Sequence, residues 1–341
     1  MPSQPRRPSA PTSPLKKVGF SLVTTAALLG LMEWAAVWLA PHKPLDMGSH
    51  SAETAMRASD LLGWEAVPGR SHAFSVRGGT VVGPDGTRNP PEVAHPEGSL
   101  RLMTLGDSSI YGVMVDDGYV FSDIAAKRLG TALSVPVDVV NGGIPGYSSE
   151  QARRLYASRL RKFKPDVLVV ATIWSDSQLG PMPDSMMYPE SGAALRKVLQ
   201  NSALVRFVGG LMAGWVPGRD VTWKLSAEPG VRRVPLSAYR DNLLELSEMA
   251  VEDGAIVAFL LLPCDRDVTA KEVESPRPEY RQVMREVAQQ TGAVLVDGVT
   301  PFQAHGGGRQ LFLDDVHPSV EGHRALGDAL AEALQPTLSN R

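Results

Sequence analysis

The chain has 341 residues, enough for one large domain or two ordinary ones with a sizeable core. Its net charge of −3, with 43% hydrophobic and 21% charged residues, gives no basic footprint, so we expect no nucleic-acid partner. Its single cysteine, Cys264, excludes an internal disulfide and a Cys-x-x-Cys metal or redox site.

The N-terminal region has the pattern of a membrane anchor. Residues 1–17 are rich in proline and serine and carry basic but no acidic residues, which predicts a disordered cytoplasmic tail. Residues 18–40 are apolar apart from Glu33, and as a helix they would be about 35 Å long, enough to span a bilayer. Because positive charge lies only before this stretch, we expect a single-pass signal anchor with the remaining chain outside the cytoplasm, periplasmic or extracellular.

A cleaved signal peptide is the alternative for this region. The uninterrupted apolar part, 18–32, also fits the hydrophobic segment of a secretory signal. Cleavage after Ala40 would place Trp38 at position −3 and Pro41 at +1, and both are poor cleavage-site residues. The sequence therefore favours the uncleaved anchor.

Residues 41–100 are dense in glycine, proline and histidine, and we expect a stalk and an irregular lead-in there. From Arg101 onward, short apolar runs alternate with amphipathic stretches. This alternation predicts a parallel five-stranded sheet within a three-layer α/β/α sandwich over 101–338. The predicted strands are 102–105, 137–140, 167–172, 256–262 and 294–296, and the predicted helices are 118–130, 148–162, 237–252, 278–291 and 319–335.

An insertion over about 177–235 separates the third and fourth predicted strands and is longer than a plain crossover requires. Two interpretations stay open for it. It is either a lid or substrate wall at the end of the sheet, or an extra packed helix pair.

The first predicted strand leads directly into Gly106-Asp107-Ser108-Ser109. Ligands of open α/β sheets lie beyond the carboxyl ends of the strands, so Ser108 is a candidate nucleophile. A serine hydroxyl is a weak nucleophile and requires a neighbouring base. Alone, the triplet is a weak signal and is more typical of a turn or a helix cap.

A candidate base lies near the C-terminus, in the segment Asp314-Asp315-Val316-His317-Pro318. The spacing of Asp314 and His317 lets a short turn bring the carboxylate to one ring nitrogen, which leaves the other nitrogen free to accept the serine proton. Pro318 is expected to stiffen this turn and start the last helix. The alternatives are a capping aspartate beside a surface histidine, and a metal set of Asp314, Asp315, His317 and His323. Since nothing else supplies a ligand cluster, no metal or cofactor is expected.

Two further segments, Asn141-Gly-Gly-Ile-Pro-Gly146 and Ile173-Trp-Ser175-Asp176, follow the second and third predicted strands and could aim donors at an oxyanion. The four segments, in this order and spacing, resemble the sequence blocks of the SGNH (GDSL-type) hydrolase superfamily. The wider chain, including Leu62-Gly-Trp, is similar to its N-terminally membrane-anchored bacterial members.

This resemblance implies a flavodoxin-like fold with Ser108 as nucleophile, His317 as base and Asp314 as the acid that orients it. It also implies an oxyanion hole formed by the backbone N–H groups of Ser108 and Gly146, helped by Ser175. One departure concerns the third block, which reads Gly-x-Asn-Asp in the family. Ser175 stands here where the family has an asparagine that donates to the oxyanion.

The expected function is that of an exported, membrane-tethered serine esterase or deacylase acting on a small-molecule or glycan ester, with O-acyl groups on cell-surface glycan as one candidate. Two alternatives stay open. The same triad supports acyl transfer to a glycan acceptor, and an impaired hydrolase fold could act as a binding module. The altered third block is the only support for the binding module.

Overall fold

The structure, a computed structural model, describes residues 14–39, 56–59, 61–71, 80–89, 95, 97–180, 183–187, 204, 231–269, 277–305 and 309–340. The chain divides into two compact units. One comprises Met1–Met47 and Ser191–Thr222, and the other comprises Gly48–Glu190 and Trp223–Arg341.

The first unit contains helix α1, Pro14–Leu39, which begins inside the predicted tail; residues 1–13 of that tail lie outside the described residues. The Leu204 N–H donates to Glu33 Oε2 at 3.1 Å. In the part of the chain that the structure describes, no helix is both long and apolar enough to cross a membrane. The segment predicted to be transmembrane, 18–40, is helical in its described part, and its transmembrane role is not confirmed.

The lead-in expected over 41–100 contains two strand pairs. Strands β1 (Met56–Ser59) and β2 (Gly63–Ala66) form an antiparallel hairpin, and β3 (Gly69–Ser71) pairs with β4 (Thr80–Val82). The hairpin belongs to the second unit and packs on its core: Leu62 is fully buried in that core and Trp64 packs against it. Residues 56–66 are therefore part of the folded domain and not of a stalk.

The central sheet has five parallel strands in the order β6–β5–β7–β10–β11. All five predicted strands and the parallel sheet are confirmed. The strands are β5 (Leu100–Gly106), β6 (Val137–Gly143), β7 (Val167–Ala171), β10 (Ile256–Leu261) and β11 (Val294–Asp297).

Side chains alternate between the two faces of this sheet, as strand geometry requires. On β5, Met103 and Leu105 join one buried cluster, while Leu102 joins the other. Helices cover both faces and complete the predicted three-layer sandwich. The described helices of the second unit are α2 (Ser108–Tyr111), α3 (Phe121–Leu133), α4 (Ser149–Leu155, continued by π and 3-10 turns to Phe163), α5 (Trp174–Ser177), α6 (Asp184–Met187), α7 (Leu236–Glu252), α8 (Asp265–Thr269), α9 (Pro278–Thr291), α10 (Val299–Ala304), a 3-10 turn (Arg309–Leu311) and α11 (Val320–Ser339).

The insertion leaves and returns at one point of the domain. Strands β8 (Leu179–Gly180) and β9 (Val231–Arg232) pair antiparallel and close its base. Residues 181–182, 188–203 and 205–230 lie outside the described residues, and with them the choice between a lid and a helix pair.

Two glycines let helix α2 lie directly against the end of the sheet. A Cβ on Gly106 would clash with the Ile110 side chain of this helix as well as with the Ala171 carbonyl oxygen, and a Cβ on Gly143 would clash with the Tyr111 nitrogen. Any side chain at either position would push the short helix away. The first residue of that helix, Ser108, is therefore held at the carboxyl end of the central strand β5.

Candidate active site

Ser108 begins a helix of one turn that is fixed at both ends. Asp107 is its N-cap and accepts a hydrogen bond from the Ser109 N–H at 2.9 Å. Gly112 closes the turn in the left-handed region at φ 78°, and its N–H donates to the Ser108 carbonyl at 3.1 Å. The Gly-Asp-Ser triplet therefore forms a cap and also presents a serine, so the two interpretations of the sequence do not exclude each other.

The structure brings Ser108, His317 and Asp314 together in a chain of hydrogen bonds. Ser108 Oγ lies 2.7 Å from His317 Nε2, and His317 Nδ1 lies 2.6 Å from Asp314 Oδ2. An ionised carboxylate can only accept, so the ring proton lies on Nδ1 and donates to Asp314. The lone pair on Nε2 then faces the hydroxyl of Ser108 and can accept its proton.

The other oxygen of Asp314 holds the turn itself. Oδ1 accepts from the Val316 N–H at 3.0 Å and from the His317 N–H at 2.9 Å. Partial burial acts to raise the pKa of Asp314, but the hydrogen bonds from the His317 ring and these two amides outweigh it and hold the pKa well below its usual range. Asp314 is therefore ionised at neutral pH. Its capping role and its contact with the ring exist side by side.

The environment of His317 favours its protonated form. Burial lowers the pKa of His317, but the hydrogen bond and charge of Asp314, with a further contribution from Asp107, raise it above the usual value of 6.5. A raised pKa makes the His317 ring a stronger base, because its environment stabilises the imidazolium that forms when the ring accepts a proton.

The loop that carries His317 is tied to its neighbours. Ser109 Oγ donates to the Val316 carbonyl at 3.2 Å, which joins the helix that carries Ser108 to the loop that carries His317. The Asp265 N–H donates to the Asp315 carbonyl at 2.9 Å. The last helix begins at Val320 with Ser319 as its N-cap, so Pro318 precedes the helix and does not start it as predicted.

His323 is used elsewhere in the fold and does not join the metal set considered as an alternative. Its Nδ1 accepts from the Phe121 N–H at 3.2 Å, and its ring stacks on that of Phe121. Burial lowers the pKa of His323 to about 3, so it is neutral. Among the described residues, no group of three histidine, cysteine, aspartate or glutamate side chains is placed to hold a metal ion.

The predicted oxyanion donors follow three adjacent strands. Gly106 pairs with Gly143 on one side and Ala171 on the other, so Ser108, Gly146 and Ser175 all follow the same edge of the sheet. The Gly146 N–H donates to no atom of the described residues, which leaves it available to a ligand. Ser175 lies in the first turn of α5 and is only 3% exposed.

Sequence reasoning assigned no role to two buried carboxylates beside these residues. Burial raises the pKa of Asp107 to about 6, although the Ser109 N–H and the charge of His317 oppose the shift. Burial raises the pKa of Asp176 to about 7, although it accepts the Ser149 N–H at 2.8 Å. Both residues stand in the motifs that identified the site, but their burial could not be read from the sequence.

Residues 104–325 match the GDSL-like Lipase/Acylhydrolase family, and the match includes all the site residues named above. The chain therefore belongs to this family and is a carboxylic ester hydrolase. A comparison with curated proteins finds no significant match.

Similar folds occur among solved structures at low sequence identity. An α/β hydrolase enzyme from the metagenome of Lake Arreo, Spain, is 18% identical over 71% of this chain and 97% of its own, with a TM-score of 0.47. An acetylxylan esterase from Geobacillus stearothermophilus is 16% identical over 69% of this chain and 94% of its own, with a TM-score of 0.46. A lipase/acylhydrolase from Enterococcus faecalis is 17% identical over 70% of this chain and 96% of its own, with a TM-score of 0.45. The family assignment rests on the match over 104–325 and not on these likenesses.

Proposed function

We propose that the protein hydrolyses an O-acyl ester through Ser108, His317 and Asp314. The observation that carries the proposal is the unbroken hydrogen-bond chain from Ser108 Oγ through the His317 ring to Asp314. This order of nucleophile, base and orienting carboxylate is the arrangement that activates serine in hydrolases of several unrelated folds.

In the proposed reaction, Ser108 Oγ attacks the ester carbonyl carbon while His317 Nε2 accepts the hydroxyl proton. Asp314 stabilises the resulting imidazolium through Nδ1. The N–H groups of Ser108 and Gly146 and the hydroxyl of Ser175 stabilise the oxyanion. His317 then gives its proton to the leaving alcohol as the acyl-serine forms. A water molecule, activated by His317, releases the acid and restores Ser108.

We propose short O-acyl groups on a cell-surface glycan as the substrate class. The support is the exposure of the site among the described residues, where the side chain of Asp314 is 58% exposed and that of His317 is 24% exposed. An open site can accept a bulky, polar alcohol group.

We also propose that the enzyme works outside the cytoplasm, held at the membrane by residues 18–40. The support is the sequence, in which basic residues precede the apolar stretch and none lies within it. The test is protease accessibility in intact and opened cells together with peptide mapping of the N-terminus. Accessibility from outside with an intact N-terminus supports the tether, a new N-terminus near residue 41 indicates a secreted enzyme, and an inaccessible domain refutes export.

A panel of aryl esters and acetylated glycans, with and without an acceptor sugar, tests the activity. We expect acid release that does not depend on the acceptor and that disappears in Ser108→Ala. Ser158→Ala is the matched control, since this hydroxyl donates to the Arg154 carbonyl within a helix. Transfer of the acyl group to the acceptor would instead establish an acyltransferase. Turnover unaffected by Ser108→Ala would refute the proposed nucleophile.

A further inference from the structure

The predicted oxyanion donor Gly146 lies in a tight turn whose geometry controls the direction of its N–H. The Tyr147 N–H donates to the Ile144 carbonyl at 3.0 Å, with Pro145 and Gly146 between them. Gly146 has φ 80°, and proline followed by a residue with this φ is characteristic of a type II turn. Type I and type II turns differ by a flip of the central peptide, which here joins Pro145 to Gly146.

That peptide is trans and planar, so the Pro145 carbonyl and the Gly146 N–H point in opposite directions. A flip toward the type I arrangement would exchange the two directions and so reverse the direction of the Gly146 N–H. Whatever holds the Pro145 carbonyl therefore also aims the Gly146 N–H.

Trp64, on strand β2 and outside the central five-stranded sheet, holds this carbonyl. The indole N–H of Trp64 donates to the Pro145 carbonyl at 3.1 Å. The Tyr147 hydroxyl donates in return to the Trp64 carbonyl at 2.6 Å, and the two rings pack edge to face at 5.7 Å. The turn and the β2 strand thus fix each other at three points.

Arg233 holds the next carbonyl of the same turn. It donates to the Gly146 carbonyl at 2.9 Å, and its guanidinium lies 5.6 Å from the centre of the Trp64 ring. Two hydrogen bonds to the buried carboxylate of Asp184, at 2.8 and 3.1 Å, and one to Gln151 at 2.8 Å orient the guanidinium. A rigidly held guanidinium loses little conformational freedom when it binds the turn.

We propose that Trp64 and Arg233 are positioning residues that keep the Gly146 N–H aimed at the oxyanion, and this inference rests on the proposed function. Both residues act through the peptide groups on either side of Gly146 and touch no reacting atom. Trp64 lies before the matched family region of 104–325, so the lead-in hairpin would support the active site through the turn at Gly146.

The decisive variant is Trp64→Phe, which removes the indole N–H and keeps an aromatic ring. A complete oxyanion donor is worth about 10²–10³ in turnover, so a donor that is only misdirected part of the time is expected to lower kcat about 10-fold. We expect KM for 4-nitrophenyl acetate to stay within about twofold, since the loss falls on the transition state. The Ki of an aryl boronic acid, whose adduct places an oxygen in the oxyanion hole, should rise by about the same 10-fold factor. Arg233→Lys should act in the same direction.

Tyr156→Phe is the matched control, because it removes one aromatic hydrogen bond, to Asp253 at 2.9 Å, within the same core. It should leave kcat unchanged, and Tm is measured for both variants. If Trp64→Phe loses no more kcat than Tyr156→Phe while Ser108-dependent turnover persists, the inference is wrong and the proposed function stands. If the parent enzyme shows no Ser108-dependent turnover, the proposed function fails and the inference is overturned with it.

Discussion

Replacing Asp314 by asparagine tests which ring nitrogen of His317 carries the proton. The two amides of Val316 and His317 donate to one carboxylate oxygen at 3.0 and 2.9 Å, so the asparagine carbonyl must occupy that position. The side-chain NH₂ then faces the Nδ1–H of His317, so that two hydrogen-bond donors point at each other. The ring can accept this hydrogen bond only if its proton moves to Nε2. In that tautomer Nε2 cannot accept the proton of Ser108.

The expected loss of kcat in Asp314→Asn is about 10³-fold. The equivalent change in a serine protease with a buried aspartate costs about 10⁴. Here the Asp314 side chain is 58% exposed, so water competes with the asparagine and weakens its hold on the wrong tautomer. Asp314→Ala leaves both tautomers available and should lower kcat by a smaller factor than Asp314→Asn. Asparagine keeps the two backbone hydrogen bonds, so its Tm should stay closer to that of the parent than the Tm of the alanine variant.

Steady-state turnover of an aryl acetate at pH 8, with Tm measured on the same samples, gives both quantities. The reasoning requires that asparagine harms kcat more than alanine while harming Tm less. An asparagine variant that keeps more than about a tenth of the parent kcat would refute it, because another group must then set the tautomer of His317.

Four further variants, at three residues, test neighbouring parts of the site. Because only neutral imidazole accepts a proton and the pKa of His317 is raised, kcat/KM should fall with decreasing pH around a midpoint above 6.5. Asp107→Asn should move that midpoint to lower pH, because it removes a charge that raises the pKa of His317. A flat profile between pH 5 and 8 would argue against a histidine base. Ser175→Asn should raise ester turnover and Ser175→Ala should lower it only modestly, since the serine hydroxyl reaches less far than an amide. A loss of about 10²-fold or more in Ser175→Ala would show that the serine hydroxyl donates directly to the oxyanion. The pKa of Asp176 is raised from 3.8 to about 7, so the folded state binds the proton more tightly, and stability falls as pH rises through this window. The drop in Tm between pH 5 and pH 8 should therefore be smaller in Asp176→Asn than in the parent, and an unchanged drop would contradict the assignment.

The strands and the triad could be predicted because their signals are local in sequence. Each strand is a short apolar run, and Asp314 and His317 are close enough in the chain for one turn to join them. Ser108 was found from its position after the first strand. The carboxyl ends of parallel strands lie at one edge of the sheet, so the segments that follow the strands are expected to meet there.

The contacts that hold the turn from Ile144 to Tyr147 could not be predicted, because they join distant parts of the chain. Trp64 lies 81 residues from Pro145, and Arg233 lies 87 residues from Gly146. The lead-in lacks a clear alternation of apolar and polar residues, so the β1–β2 hairpin gave no strand signal. Its Leu62 and Trp64 are placed by tertiary packing and not by local pattern.

The most direct test of the proposed mechanism is labelling of the full chain with a fluorophosphonate, followed by peptide mapping. Only a serine whose hydroxyl is activated by a base reacts readily with this probe. We expect a single labelled serine, Ser108, and loss of the label in Ser108→Ala and His317→Ala. Label that maps to Ser109, or that persists in Ser108→Ala, would contradict the assignment of Ser108 as the nucleophile.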